Sequence, residues 1–288
     1  MTVRYKIEKN TVQETLIIPL YARKMCSELY PSLYRDEAAR RLVNAVDYDF
    51  SALEKKSRNS MQRFGFLEVA MRQNDLAWEV RDYLKAHPTA AVVNLGCGLD
   101  DTGRRCDNGS CKLYNLDFPD VIAVRGALLP AGEREENIGC DLNDTAWFSR
   151  IDASGGAVFF AAGVFYYFLT EQVRALVQAM AEAFPSGRLA FDAAGRPAVK
   201  LMLKTWIRDA AIQDVGAYFS VSDAARELSA WSERLRVSSR GYMLGYQSLD
   251  DPDVSGFFRF LARVGDGAMK MQIVRLDFAE DGARGADR

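Results

Sequence analysis

Hydrophobic and polar positions alternate with helical spacing in the first part of the chain. Apolar residues recur every three or four positions in 15–30, 36–46 and 66–88, which is typical of amphipathic helices. Asp36 stands where a helix N-cap is expected, directly before the second of these segments. We therefore predict that the N-terminal part is helical.

From residue 90 the pattern changes to short apolar runs that alternate with helical segments. The predicted strands are 90–95, 112–117, 136–141, 157–163 and 188–193. The helices between them are predicted at 119–129, 144–151 and 170–184. Such an alternation favours an α/β fold with a mostly parallel sheet that is covered on both faces.

The last third of the chain combines helices with two further strands. Residues 196–233 are helical in pattern and rich in Trp, Tyr and Met. Strands are predicted at 236–246 and 269–278, with a helix at 253–264 between them. The tail 280–288 is predicted to be disordered.

Composition narrows the class of protein. The chain has 288 residues, of which 49% are hydrophobic, and its net charge is −2. That length suits one large domain, and the absence of a Lys/Arg-rich block argues against nucleic acid or membrane surfaces as partners. The longest apolar run, 157–169, is too short to span a bilayer, and the N-terminus has no signal core. Five cysteines are an odd number, so we predict a soluble cytoplasmic protein rather than a disulfide framework.

Candidate chemistry begins at the stretch AAVVNLGCGLDD, where a strand ends in two glycines. Gly96 and Gly98 fit the first two positions of a dinucleotide-binding loop, but Asp101 stands at the third, beside Asp100. Two carboxylates suit a pyrophosphate poorly, whereas the sulfonium and ammonium groups of S-adenosylmethionine tolerate them. The loop therefore favours S-adenosylmethionine over NAD.

The next two strands end in acids that fit a nucleoside. Asp117 follows Gly98 by 19 positions and can accept hydrogen bonds from both ribose hydroxyls, although it could instead cap the following helix. Asp141 and Leu142 could read the adenine amino group and pack its ring. Asp144 is an alternative acid nearby that could cap the next helix.

Several segments, taken in order, resemble the leucine carboxyl methyltransferase family. The similarity is greatest to the bacterial branch that includes the tetracenomycin-type polyketide O-methyltransferases. The segments that carry it are TLIIPLYARK, VVNLGCGLD, YNLDFPDVI, DLNDTAW, AGVFYYF, FPSGRLAFD and MKMQIVRLDF.

The resemblance implies a Rossmann-like class I methyltransferase fold, mostly parallel with an antiparallel C-terminal strand, and with a helical cap and a helical lid insertion. We predict a single domain, 1–288. It is divided into a cap (1–88), a cofactor-binding core (89–195) and lid helices with C-terminal strands (196–288). The implied cofactor is S-adenosylmethionine, with S-adenosylhomocysteine as product.

The resemblance also implies which residues hold that cofactor. Arg72 would meet its carboxylate, with a solvated or salt-bridged arginine as the alternative. Cys97 is interpreted as a small residue packed under the cofactor. The predicted cofactor-binding set is Arg72, Gly96, Cys97, Gly98, Asp117, Phe118, Asp141, Leu142 and Gly163.

Two positions depart from the family pattern, and both lie close to the expected cofactor pocket. The chain reads Asp-Asp-Thr-Gly at 100–103, where the family often has Asp-Thr-Arg after Gly-Leu. It reads Ala162-Gly163 where the family often has Glu-Gly.

Fewer residues point to the acceptor. Tyr167 matches the family's tyrosine and is predicted to lie near the methyl group, with core packing of the run 165–168 as the alternative. Tyr21 and Arg23 could meet an anionic acceptor, although a plain surface arginine is an equal reading. His87 is the single histidine and precedes the first strand of the sheet, away from the ligand edge, so we assign no catalytic base and no metal.

These observations favour an S-adenosylmethionine-dependent O-methyltransferase that acts on a carboxylate of a small or polyketide-like metabolite. A carboxylate is already ionised at neutral pH and needs no general base. Two alternatives stay open, a methyltransferase for phenols or other hydroxyls and a non-catalytic sensor that binds the cofactor. The oligomeric state and the redox state of Cys106 and Cys111 are left open, although a reducing cytoplasm disfavours a disulfide.

Overall fold

The structure, a computed structural model, describes residues 4–7, 16–206 and 218–279, without the side chains of 203–206. The predicted disordered tail and parts of the predicted N-terminal cap and lid lie outside these residues. Within the described ranges, no helix is both long and apolar enough to cross a membrane.

The N-terminal part is helical, as predicted. Asp36 caps the second helix, because its Oδ1 accepts a hydrogen bond from Ala39 N–H at 2.7 Å. The fourth helix begins earlier than predicted, because the Asn59 side chain caps it at the Met61 N–H. The four helices are α1 (Ile17–Leu29), α2 (Glu37–Ala45), α3 (Ser51–Lys56) and α4 (Ser60–Ala86).

A small parallel pair of strands, β1 (Tyr5–Lys6) and β2 (Val46–Asp47), also belongs to this part. It was not predicted, because a strand of two residues leaves no periodic signal in the sequence.

The main sheet has seven strands within the described residues, in the order β5-β4-β3-β6-β7-β9-β8. Strands β3 to β7 are parallel, and β9 runs antiparallel to both β7 and β8. The predicted, mostly parallel sheet with an antiparallel C-terminal strand is therefore confirmed. The strands are β3 (Ala91–Leu95), β4 (Lys112–Asp117), β5 (Glu135–Gly139), β6 (Ala157–Ala161), β7 (Arg188–Ala193), β8 (Leu235–Gly241) and β9 (Gln272–Phe278).

Helices connect these strands. The α-helices are α5 (Thr102–Arg105), α6 (Pro119–Leu128), α7 (Thr170–Ala183), α8 (Arg196–Trp206), α9 (Ala224–Leu228) and α10 (Gly256–Gly267). Three 3₁₀ helices lie at Thr145–Arg150, Phe165–Tyr167 and Ser229–Trp231. The predicted helix at 144–151 is thus the tighter 3₁₀ form, capped by the Asp144 side chain at the Ala146 N–H.

The core occupies both faces of the sheet. Val93 and Phe159 pack in one cluster with residues of α7, while Val92 and Phe160 pack in another with residues of α1, α4 and α10. Every residue of β3, β6 and β7 is buried, as expected for central strands covered on both sides.

The predicted C-terminal strands are longer than the observed ones. Strand β8 ends at Gly241, whereas the pattern predicted a strand to 246. The Asp266 carboxylate accepts hydrogen bonds from the Met243 and Leu244 N–H groups, which draws this segment towards α10 and away from the sheet. Strand β9 likewise begins at Gln272 rather than at 269.

Candidate active site

The loop after β3 is a tight, left-handed turn that brings backbone close to neighbouring elements. Gly96 has φ +64° and Gly98 has φ +46°, a region that glycine adopts without the steric cost that other residues incur. A Cβ on Gly96 would lie 2.6 Å from Val164 Cγ2, so the loop packs against the segment after β6. Cys97, between the two glycines, is buried, in keeping with its predicted place beneath the site.

Asp117, at the end of β4, lies against this loop. Its Oδ2 accepts the Gly98 N–H and its Oδ1 accepts the Phe118 N–H, both at 2.8 Å. Burial raises the pKa of Asp117 despite these two bonds, which act in the opposite direction. Each carboxylate oxygen can accept a second hydrogen bond, so Asp117 retains capacity for hydroxyl donors.

The end of β5 places an acid and an apolar residue at the same edge of the sheet. Asp141 is exposed, and its Oδ1 accepts from the Asn143 backbone and side-chain amides, both at 2.9 Å. Leu142 is buried, whereas Phe118 leaves 47% of its surface exposed. Asp141 and Leu142 remain the predicted surroundings of an adenine ring, and Phe118 remains a predicted cofactor-binding residue.

Arg72 of α4 lies across the loop after β6. Its NH1 bonds Asp192 Oδ2 at 3.1 Å, while Asp192 Oδ1 accepts the Gly163 N–H at 2.6 Å. Gly163 has φ +73°, and a Cβ there would lie 2.7 Å from Arg72 NH1, so only glycine leaves room for the guanidinium. Burial opposes the charge of Arg72, but Asp192, Tyr242 and Tyr166 together outweigh it and raise the pKa of the guanidinium.

One donor of Arg72 remains unused. Its buried Nε has no hydrogen-bond partner among the described residues. A buried unpaired donor costs free energy, and a carboxylate is the acceptor that a guanidinium binds best. The contact of Arg72 with the cofactor's carboxylate stays a prediction, with which an unpaired donor agrees.

Glu68 and Asp192 were not predicted from the sequence. Glu68 precedes Arg72 by one helical turn and is partly exposed. Burial, and to a lesser degree Asp266, raise its pKa to about 7, against the opposing effect of Arg72. The spacing of four residues between Glu68 and Arg72 was the available signal; Asp192 is distant in sequence and gave none.

The acids that follow the glycines point into the protein. Asp100 Oδ1 accepts from the Thr102 amide and hydroxyl at 3.0 and 2.7 Å, and its Oδ2 accepts from Asn94 Nδ2 at 3.2 Å. Asp101 lies 3.1 Å from Arg105 Nε. The reason given for excluding a pyrophosphate, two carboxylates facing the ligand, is thus wrong, because both have partners of their own.

The predicted acceptor residues divide into one that is accessible and two that are not. Tyr167 is 49% exposed in the 3₁₀ helix after β6, near the site. Tyr21 is buried and stacks on Phe50, with ring centroids 5.5 Å apart. Arg23 is 3% exposed and bonds Asp36 Oδ2 through Nε at 2.9 Å. The expectation that Tyr21 and Arg23 contact an acceptor is therefore corrected, because packing and ion pairing occupy both side chains.

His87 lies at the opposite end of the sheet, stacked on Tyr83 with ring centroids 4.4 Å apart. The five cysteines, all of them in the described ranges, are free thiols, including Cys106 and Cys111.

Comparison with known proteins assigns the family. The model of the leucine carboxyl methyltransferase family matches residues 17–181, which is more than half of the chain. The chain belongs to this family. The predicted family is thus confirmed, and with it the enzyme class, an S-adenosylmethionine-dependent methyltransferase, and its cofactor.

Two relatives from this comparison are methyltransferases by name. The tetracenomycin polyketide synthesis O-methyltransferase TcmP of Streptomyces glaucescens is 28% identical over 183 residues. That alignment covers 63% of this chain and 66% of TcmP, slightly under two thirds of its length. The S-adenosyl-L-methionine-dependent methyltransferase dpfgK of Gibberella zeae is 24% identical over 83% of this chain and 85% of its own.

The fold has a counterpart among solved structures. The crystal structure of a DUF574 family protein from Streptomyces avermitilis superposes with a TM-score of 0.56 at 13% identity. It covers 90% of this chain and 97% of the other. This likeness concerns the fold alone and agrees with the predicted architecture.

The residues of the predicted site are chemically compatible with the family's cofactor. The guanidinium of Arg72, with an unpaired Nε, suits the carboxylate of the cofactor. The glycine turn lets the protein backbone approach the cofactor closely, and the carboxylate at the end of the next strand, Asp117, suits a ribose. At Ala162 this chain lacks the acid that the family often has, and the nearby acids are Glu68 and Asp192.

Proposed function

We propose that this family member catalyses O-methylation of a carboxylate on a small or polyketide-like metabolite. The observation that carries the proposal is membership of the leucine carboxyl methyltransferase family. Arg72, whose guanidinium lies against Gly163 and whose buried Nε has no described partner, would hold the cofactor at this site. The name of TcmP supports a polyketide-like acceptor.

Four groups of residues would hold the cofactor. Arg72 would bind the carboxylate of the cofactor. The backbone of the turn at 96–98 would lie close to the cofactor. Asp117 would accept from the ribose hydroxyls, while Asp141 and Leu142 would flank the adenine, next to Phe118. When bound, S-adenosylmethionine supplies an electrophilic methyl group on a sulfonium centre.

The chain's own residues would then orient the acceptor and exclude water. A carboxylate acceptor arrives ionised, so no side chain needs to remove a proton. Tyr167 is the aromatic residue that would pack beside the methyl group, since aromatic faces suit a cation. Holding the two reacting atoms in line can contribute about 7–11 kcal/mol to lowering the barrier.

A hydroxyl acceptor is the second candidate, and Glu68 is the observation that favours it. A carboxylate with a pKa of about 7 can take a proton from a phenol near neutral pH. A carboxylate acceptor is already ionised, so its methylation should not depend on pH near neutrality. With a hydroxyl acceptor, activity would instead rise with pH.

The acceptor class can be tested with methyl-labelled cofactor and a panel of aromatic acids and phenols. A methyl ester is released by mild base, whereas a methyl ether is not, so base-labile label supports the proposal. Base-stable label, together with loss of activity in Glu68→Gln, would establish the hydroxyl acceptor. Cofactor binding without turnover on any acceptor would indicate a sensor.

We also propose that cap and lid belong to the same domain as the core, and that the protein is cytoplasmic. The cap supports the first point because residues of α1 and α4 share one hydrophobic cluster with the strands β3 and β6.

A further inference from the structure

The backbone carbonyl groups of residues 97–101, in and directly after the glycine turn, each accept a hydrogen bond from the protein. Cys97 O accepts from Asp100 N–H at 2.9 Å, and Asp101 O accepts from Arg105 N–H at 3.1 Å. The three carbonyls between them accept from arginine side chains that come from two different elements.

Arg125, from α6, binds two of these carbonyls. Its NH1 donates to Gly98 O at 3.0 Å and to Asp100 O at 2.6 Å. The side chain is 1% exposed, and its NH2 lies 3.5 Å from Glu135 Oε1, which compensates its charge.

Arg23, from the cap helix α1, binds the third carbonyl, that of Leu99. Its NH2 donates to Leu99 O at 2.7 Å, while its Nε is held by Asp36. The same helix packs on the loop through its apolar face, since Ile17 and Leu20 share a hydrophobic cluster with Leu99.

We propose that Arg23 and Arg125 are positioning residues that hold the carbonyl side of the glycine loop inside the protein. The opposite side of the loop then faces the cofactor, and through Arg23 the docking of the cap becomes part of cofactor binding. This inference rests on the proposed function of the loop.

Arginine suits this task for a physical reason. Its guanidinium stays charged when buried and presents several donors in a fixed plane, so it can bind a carboxylate and a carbonyl at the same time. Carbonyls carry partial negative charge, and each arginine offsets the charge of the carbonyls it binds.

The test compares binding of S-adenosylhomocysteine, measured by calorimetry, in wild type, Arg23→Met and Arg125→Met. Arg188→Met is the matched control, because Arg188 is also buried and ion-paired, to Asp82 and Asp277, but lies at the opposite edge of the sheet. We expect dissociation constants at least tenfold higher for the two loop variants and an unchanged value for the control, although all three lose stability.

Removing one partner of a buried ion pair can unfold a protein, so variants that leave no unpaired carboxylate provide a second route. Arg23→Met is combined with Asp36→Asn for this purpose, whereas Arg125→Met needs no second change because Glu135 stays paired with Arg104. The same tenfold weakening is expected in these variants.

Hydrogen exchange tests the role of the cap. In wild type, S-adenosylhomocysteine should slow exchange of the α1 amides, and at equal saturation Arg23→Met should lose most of that protection. Folded variants that bind as tightly as wild type, with equal protection of α1, would overturn this inference alone. A wild type that does not bind S-adenosylhomocysteine would overturn the proposed function itself.

Discussion

At the scale of single residues, the site is organised by arginines that bind acceptors on neighbouring elements. Arg72 connects α4 with the end of β7 through Asp192, and its Nε has no hydrogen-bond partner among the described residues. Asp117 and Asp192 fix the backbone of two loops, since each accepts a hydrogen bond from the N–H of a glycine with a positive φ. Substitutions at Asp117, which has no ion-pair partner among the described residues, should therefore change binding more than folding, whereas substitutions at Asp192 would also leave Arg72 unpaired.

Replacing Asp117 with Ala should weaken binding of S-adenosylhomocysteine by about 2–4 kcal/mol. The variant loses the acceptor proposed for two ribose hydroxyls and also frees the Gly98 N–H. Calorimetric titration measures the effect. Asp120→Ala is the matched control, because Asp120 is an exposed acid in the first turn of α6. Equal affinity of both variants and wild type would show that Asp117 only shapes the turn.

Asp75 should make stability depend on pH. It is 1% exposed, and its Oδ2 has no hydrogen-bond partner within the described part of the chain. Burial, followed by Asp266 and Glu79, raises its pKa to about 9, while a weak hydrogen bond from Gln247 acts in the other direction. The folded state therefore keeps a proton that the unfolded chain loses near pH 4, so stability should fall as pH rises from about 4 to 9.

Asp75→Asn removes this titration. Between pH 6 and 9, wild type should lose stability relative to the variant by at most about 1.4 kcal/mol per pH unit, as measured by urea unfolding. Asp120→Asn, at an exposed position, should follow wild type. Parallel pH curves for Asp75→Asn and wild type would contradict the raised pKa.

At the scale of elements, the site depends on how closely the turn after β3 approaches the segment after β6. Gly96 leaves no room for a Cβ beside Val164. The two segments belong to neighbouring strands of the sheet, so their spacing is set by the β3–β6 pairing.

Gly96→Ala should destabilise the protein in two ways. An alanine at φ +64° costs about 1–2 kcal/mol, and the clash with Val164 adds about 1–3 kcal/mol. The double variant Gly96→Ala/Val164→Ala should recover part of the second contribution in urea unfolding. Gly126→Ala, in α6 with no described atom within 4 Å of the new Cβ, should be neutral or slightly stabilising. Failure of Val164→Ala to restore any stability would remove the steric argument.

At the scale of the whole molecule, cap and sheet share their hydrophobic clusters. Residues of α1 and α4 pack with those of β3, β6 and α10, so unfolding the cap would expose the core of the sheet. One cooperative transition is the expected consequence.

Scanning calorimetry should show this single transition, shifted upward by S-adenosylhomocysteine. At a hundred times its dissociation constant the ligand adds about 2.7 kcal/mol, which corresponds to roughly 4–5 °C at this chain length. NAD at the same concentration should produce no shift. Two transitions, of which the ligand moves one, would show that the cap unfolds separately.

The sequence alone determined the class of the fold and the residues at the strand ends. The short apolar runs in the sequence predicted β4 and β7 with their observed bounds, because such a run is a local signal. The strand ends brought Gly96, Asp117 and Asp141 to one edge of the sheet, because parallel strands all end on the same side.

Only the tertiary structure decided which way the polar side chains point and what they bind. Asp100 and Arg23 turned inward to partners, whereas the sequence placed Asp100 at the ligand and Arg23 either at the acceptor or on the surface. The Arg72–Asp192 pair joins residues 120 positions apart, and no local pattern encodes such a pair. Periodicity reports which face of an element is buried, but the partner of a buried charge depends on which elements the fold places beside it.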